Sequence, residues 1–249
     1  MASISETGHA KNVANFEDLI SVCTGFGTAY NPTKNSIKTA AMNTLLSSAR
    51  NSLQSLKTAK TANDNATNTR EIAFAGLKKL STRVVNALGA TDSATQTVDD
   101  AKTVNRKIQG QRVDKKKPPE IIPVPENTPA DSLPLQISVS QQSYDSLVDN
   151  FTKLIQVVTT EPLFIPNEND LKVVQLNTLL TNLKTSNTAV INAHTAYSSS
   201  MISRDAVLYS ANTGLYDISC EVKKYVKSVF GATSPQYRQI SKIHFTKPR

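Results

Sequence analysis

Apolar residues recur at helical spacing in two stretches that read alike. Val13, Phe16, Leu19, Ile20 and Cys23 form one stripe, and Val148, Phe151, Leu154, Ile155 and Val158 repeat it in the second half of the chain. Each stripe predicts a short amphipathic helix. Gly25 and Gly27 end the first, and Pro162 and Pro166 bound a loop after the second. A longer helical pattern follows each. In the later stretch Val173, Leu176, Leu180, Leu183, Asn187, Val190, His194, Tyr197 and Met201 alternate steps of three and four, the seam of a helix among near-parallel neighbours. Met42, Leu46, Ala49, Leu53 and Leu56 carry the matching face earlier in the chain.

The correspondence continues beyond the stripes. Met42–Leu46 returns as Leu176–Leu180, and Arg70-Glu71 returns as Arg204-Asp205 at the same offset. Gly89-Ala90-Thr91 returns as Gly231-Ala232-Thr233 at an offset eight positions larger. Eight residues therefore enter the second copy between the last two landmarks, which predicts a longer or protruding helix there. The pattern predicts an all-α protein: an antiparallel helical bundle built from two internally repeated units related by an approximate two-fold axis. The boundaries are 10–110 for the first unit, 111–138 for a linker and 139–249 for the second. Lys115-Lys116-Lys117-Pro118-Pro119 and prolines 123, 125, 129 and 134 make the linker extended and semi-rigid.

Neither long segment contains Gly or Pro between Asn35 and Ala75 or between Asn167 and Thr213. Asn63-Asp64-Asn65 and Ser198-Ser199-Ser200 are nevertheless cap- and turn-forming triplets at nearly matched places, and predict a helical hairpin in each unit. The competing reading is one uninterrupted helix of about 60 residues, ~90 Å long. Gly89 and Gly231 are read as left-handed caps. A short helix over Thr95 to Ile108 follows the first, and one over Gln236 to Ile240 with an extended tail follows the second.

Composition narrows the chemistry. Aromatics are 6% with no Trp, so Leu, Val, Ile and Ala must fill the core. No secretory signal and no membrane-length apolar run is read, and the two cysteines, Cys23 and Cys220, suit a reducing compartment; a cytoplasmic location is expected. Gly25-Phe26-Gly27 lacks the third glycine of a dinucleotide fingerprint. The three histidines have no second ligand at metal spacing, so neither a metal nor a cofactor is expected, and the reading is non-enzymatic. Asn187 and His194 are polar positions on the seam, where side chains that bond across a bundle set register; a ligand or proton-transfer site between them is the sharper alternative. Matched Arg70-Glu71 and Arg204-Asp205 read as ion pairs that serve packing or capping.

The net charge of +8 makes nucleic acid the alternative partner. Lys115, Lys116, Lys117, Lys223, Lys224 and Lys227 are the candidate contacts to a polyanion backbone, bound without sequence specificity, although no aromatics are interleaved with them. The leading expectation is a structural or protein-interaction bundle that associates with a protein partner or with itself. Its Ser/Thr/Asn-rich surface resists association less than a charged one.

The segments Ile137–Asp145, Asn150–Gln156 and Lys223–Tyr237 resemble a family of uncharacterised Bacteroidota proteins over the whole chain, duplication included. That resemblance implies a mostly helical, cytoplasmic bacterial protein and supplies no activity, ligand or catalytic residue.

Overall fold

The computed structural model describes residues 6–111 and 142–247, the side chains of Glu6 and Thr7 aside. The linker triplet Lys115-Lys116-Lys117 and most of the predicted linker lie outside the described residues. Eight α-helices and no strand occur among those described, so the fold is all-α. They are α1 (Glu6–Gly25), α2 (Thr39–Ala75), α3 (Leu77–Gly89), α4 (Thr95–Gln109), α5 (Tyr144–Thr160), α6 (Val173–Tyr209), α7 (Leu215–Phe230) and α8 (Pro235–Ser241).

Both long helices run 37 residues without a break, ~55 Å each. Neither the hairpin nor the 60-residue helix is formed. The polar triplets fail to turn the chain because their side chains are satisfied on the helix itself. Lys60 Nζ donates to Asp64 Oδ2 at 2.7 Å, and Ser200 Oγ donates to the Ala196 carbonyl at 2.9 Å. Thr44, Ser47, Thr61, Thr178 and Thr181 bond their own i−4 carbonyls in the same way.

The breaks fall instead at glycines, Gly76 after α2 and Gly214 shortly after α6, each standing just before the next helix. At Gly214 a Cβ would meet the Ser210 backbone nitrogen at 2.6 Å, so no other residue fits. Four of the eight extra residues form the turn Ser210–Thr213, in which Asn212 takes a φ of 64° and its N–H donates to Asp217 Oδ2 at 2.8 Å. The remainder lengthens α7 to 16 residues against 13 in α3, while α6 is no longer than α2. Gly89 lies within α3 and is not a left-handed cap. That role belongs to Gly110, φ 76°, after α4.

Two compact units emerge, and they cut across the boundaries 10–110 and 139–249. One comprises residues 1–65 with 192–249, and the other is the continuous stretch 66–191. In the first, α1 (Phe16, Leu19, Ile20, Cys23) packs with the start of α2 (Met42, Leu46, Ala49), Leu208 near the end of α6, and α7 (Leu215, Ile218, Val222, Val226). In the second, α5 (Phe151, Leu154, Ile155, Val158) packs with the start of α6 (Leu176, Leu180, Leu183), Phe74 near the end of α2, α3 (Leu77, Val84, Leu88) and α4 (Ala101, Ile108). The early helices of one predicted repeat thus share a core with the late helices of the other.

Candidate functional site

Polar side chains are drawn together at three places, two of them around buried groups and the third along an open groove. In the unit 66–191, Arg70 on α2 donates from Nη1 to Asn187 Oδ1 at 3.1 Å, and Asn187 on α6 donates from Nδ2 to Asp145 Oδ1 at 2.5 Å. The Arg70 guanidinium lies 4.0 Å from the centre of the Tyr144 ring, which meets Phe74 edge-on at 4.8 Å. Asn187 is buried, as its seam position predicts, and ties the start of α5 to both long helices. A guanidinium over an aromatic face with a bridged carboxylate nearby fixes geometry. Asn187 presents both its amide nitrogen and its oxygen to protein partners.

His194 does not share that environment. It is exposed, because the covered face of α6 at its level runs through Val190, Ala193, Tyr197 and Met201. A step of three after Val190 leaves His194 about 100° round the helix from Ala193. The polar seam site proposed for Asn187 and His194 together is therefore not formed.

The matched arginines differ. Arg204, 3% exposed, pairs with Asp205 through Nη2 at 2.8 Å and Nε at 2.9 Å. Arg70 turns to Asn187, and Glu71 is exposed.

In the other unit, His9 Nδ1 lies 2.8 Å from the Tyr209 hydroxyl, and Asn12 donates to the same hydroxyl at 3.1 Å. The offset that pairs Phe16 with Phe151 also pairs His9 with Tyr144, so a ring occupies this position at the start of both α1 and α5. Asn12 also grips the extended segment after α8. Its Nδ2 donates to the Thr246 carbonyl at 2.6 Å, and its Oδ1 accepts the Thr246 N–H at 3.0 Å. Asn15 Nδ2 donates to the His244 carbonyl at 2.6 Å, and Lys223 Nζ donates to the carbonyl of Ile243.

The sequence-predicted polyanion contacts are thereby divided. Lys223 is half-buried, and burial pushes its ammonium below the usual lysine range; it holds the tail and stacks 5.4 Å from the Phe245 ring centre. Lys224 and Lys227 are exposed, with Lys227 5.8 Å from the Tyr237 ring centre.

The third place is an open groove of about 940 Å³ beside α3 and α4, with Val85, Val98 and Ala90 among its apolar walls and Asn86, Lys102 and Arg106 among its polar ones. Lys102 pairs with Asp99 at 3.0 Å, and Arg106 Nη2 donates to Thr103 at 3.0 Å. Among the described residues no cluster of three or more His, Cys, Asp or Glu side chains could hold a metal ion, and no helix is long and apolar enough to cross a membrane. Sequence reasoning missed Asn12, Asn15 and the Arg70–Tyr144 stack, whose partners lie far away in the chain. The one available signal was the His9–Tyr144 match.

Compared with protein-family models, curated proteins and solved structures, the chain matches none.

Proposed function

We propose that the chain is an internally duplicated, non-enzymatic structural or protein-interaction protein of the bacterial cytoplasm, whose partner is a protein, in the first place another copy of itself. The observation that carries the reading is the use made of the interior polar groups. Buried Asn187 bonds half-buried Arg70 and exposed Asp145, and Asn12, Asn15 and Lys223 bond backbone carbonyls. Each of these bonds ties one element to another, which is structural work.

The exposed faces of the long helices support the same reading. Ile72, Val174, Ile191 and Ile202 are 77%, 72%, 56% and 72% exposed on α2 and α6, amid Ser, Thr, Asn and Ala. Such a surface offers little charge repulsion against a second protein. Duplication is supported by the equal 37-residue helices and by matched core positions, Phe16 with Phe151 and Met42 with Leu176 among them.

Light scattering on a size-exclusion column from dilute to concentrated protein tests the proposal. Mass rising with concentration, or a protein partner retained from lysate and identified, is the expected result. A strict monomer that retains no partner overturns it. Retardation of DNA or RNA that weakens steeply with salt would transfer the conclusion to phosphate-backbone binding.

A further inference from the structure

The segment Lys242–Lys247 is held as a bound peptide is held. After a turn at Lys242 its side chains alternate: Ile243 and Phe245 pack onto the α1/α7 core while His244 and Thr246 stay exposed. Its backbone is read by side chains at three points: Ile243 by Lys223, His244 by Asn15, and Thr246 by Asn12. The Asn12 amide meets both the N–H and the carbonyl of Thr246, so it recognises an extended backbone whatever side chain that residue carries. Asn12 is 1% exposed and stays in place through a further bond to Tyr209. Lys247 completes the register, its ammonium 5.8 Å from the Tyr216 ring centre. Backbone bonds giving affinity, with anchors at i and i+2 giving specificity, define a peptide-recognition groove.

The geometry points to this groove as the self-association site: the segment Lys242–Lys247 of one copy seats in the α1/α7 groove of a second. The inference rests on the self-association proposed above and supplies its means. Nothing in the side-chain bonds distinguishes the chain's own segment from an identical one, so the exchanged state keeps those bonds and gives up only the hinge contact of the Ile243 N–H with the Ile240 carbonyl. What favours the closed state is the tether, because a short connection gives a local concentration on the order of millimolar. Exchange therefore grows with protein concentration, or when the segment is released.

Two full-length variants test this. In the first, Ile243→Ala with Phe245→Ala disables the segment and leaves the groove. In the second, Asn12→Ala with Asn15→Ala disables the groove and leaves the segment. Each alone should be monomeric at tens of micromolar by light scattering. Mixed, they should form a one-to-one heterodimer, since one intact segment meets one intact groove. The first variant should also bind a labelled peptide of residues 241–247 saturably, on the order of ten-fold more tightly than the unaltered chain does. Adding Asn12→Ala to it should abolish that binding.

A mixture that stays monomeric, or peptide binding indifferent to Asn12, overturns the inference. Should the first variant lose its helical circular dichroism, Thr246→Pro, which removes the N–H offered to Asn12 and keeps both apolar anchors, takes its place. Self-association of the Ile243/Phe245 variant as strong as that of the unaltered chain would leave the interaction reading standing and remove this groove from it.

Discussion

The two compact units set matched helices to the same task and finish it differently. In both, an amphipathic helix with Phe at the centre of its stripe packs on the first turns of a long helix and on the helix that follows a glycine. Phe16, Leu19 and Met42 do this in one unit, and Phe151, Leu154 and Leu176 in the other. Ser81 and Ser219 are both fully buried in the post-glycine helix, the latter bonded to the Leu215 carbonyl.

The closing element differs. The unit 66–191 closes with helix α4, whose Ile108 and Ala101 complete the core and whose end is held by Gln142 Nε2 at the Lys107 carbonyl, 2.9 Å away. The unit of 1–65 and 192–249 closes with short α8 and the extended segment gripped by Asn12, Asn15 and Lys223. Helix α4 satisfies its own backbone, whereas an extended segment must have its backbone satisfied by others. That requirement explains Asn12 where the other unit has Leu147, whereas Asn15 keeps the residue of its match, Asn150, and turns it to the His244 carbonyl.

Polar detail diverges as well. Cys23 and Tyr30, whose hydroxyl donates to the Ile37 carbonyl at 2.7 Å, stand where the other unit has Val158 and Phe164. The largest break in the comparison is expected from the positions that agree. Phe16→Ala and Phe151→Ala each remove a fully buried ring and should cost about 3–5 kcal/mol in urea unfolding. Equal losses confirm that the two cores are equivalent in strength; a marked inequality shows one to be the weaker.

An intermediate effect is expected at Asn187→Leu, which installs the residue found at the matched position 53. The Arg70 and Asp145 groups lose their bridge, and the loss should be about 1–3 kcal/mol. His194→Leu on the same helix, being exposed, should change stability by no more than about 0.5 kcal/mol. A larger effect would restore His194 to the seam.

The smallest effect should come from Cys23→Val, which copies Val158. Burial, opposed in part by the Tyr30 hydrogen bond, pushes the Cys23 thiol from 9.0 up to about 11, and burial likewise raises Tyr30. The folded chain keeps the thiol proton at pH values where the unfolded chain releases it. The associated stability is complete below pH 9.0 and is lost as pH rises through about 11. Cys23→Val should cost under about 1 kcal/mol at pH 7 and flatten the alkaline fall in unfolding midpoint. An unchanged alkaline profile would assign that fall to Tyr30 and other groups.

The contrast between units also explains what was legible in the sequence. The stripes of α1 and α5 could be read because period and burial coincide: every apolar residue named there is buried except the half-buried Val148. Helices α4 and α8 form over the stretches expected after each Gly-Ala-Thr, 95–108 and 236–240, to within a residue. The unbroken α2 and α6 were not, since Asn, Ser and Thr favour caps in general yet bond back to their own helix in these two. Asn187 could be assigned to the interior, but its partners stand 117 and 42 residues away, beyond any local pattern. The exchange of helices between repeats left no local trace, because a stripe shows that a face is buried and not against which segment.

That exchange has a consequence for how the chain comes off the ribosome. The stretch 66–191 is continuous and has all its core residues once α6 begins to emerge. Helix α1 is made before the other described helices, yet its partner α7 comes late among them. With roughly 190 residues to add at roughly 5–20 residues per second, the greasy stripe of α1 waits roughly 10–40 s for cover. Until α7 arrives, nascent α1 has only the start of α2 to pack on and presents a stripe that a chaperone can hold.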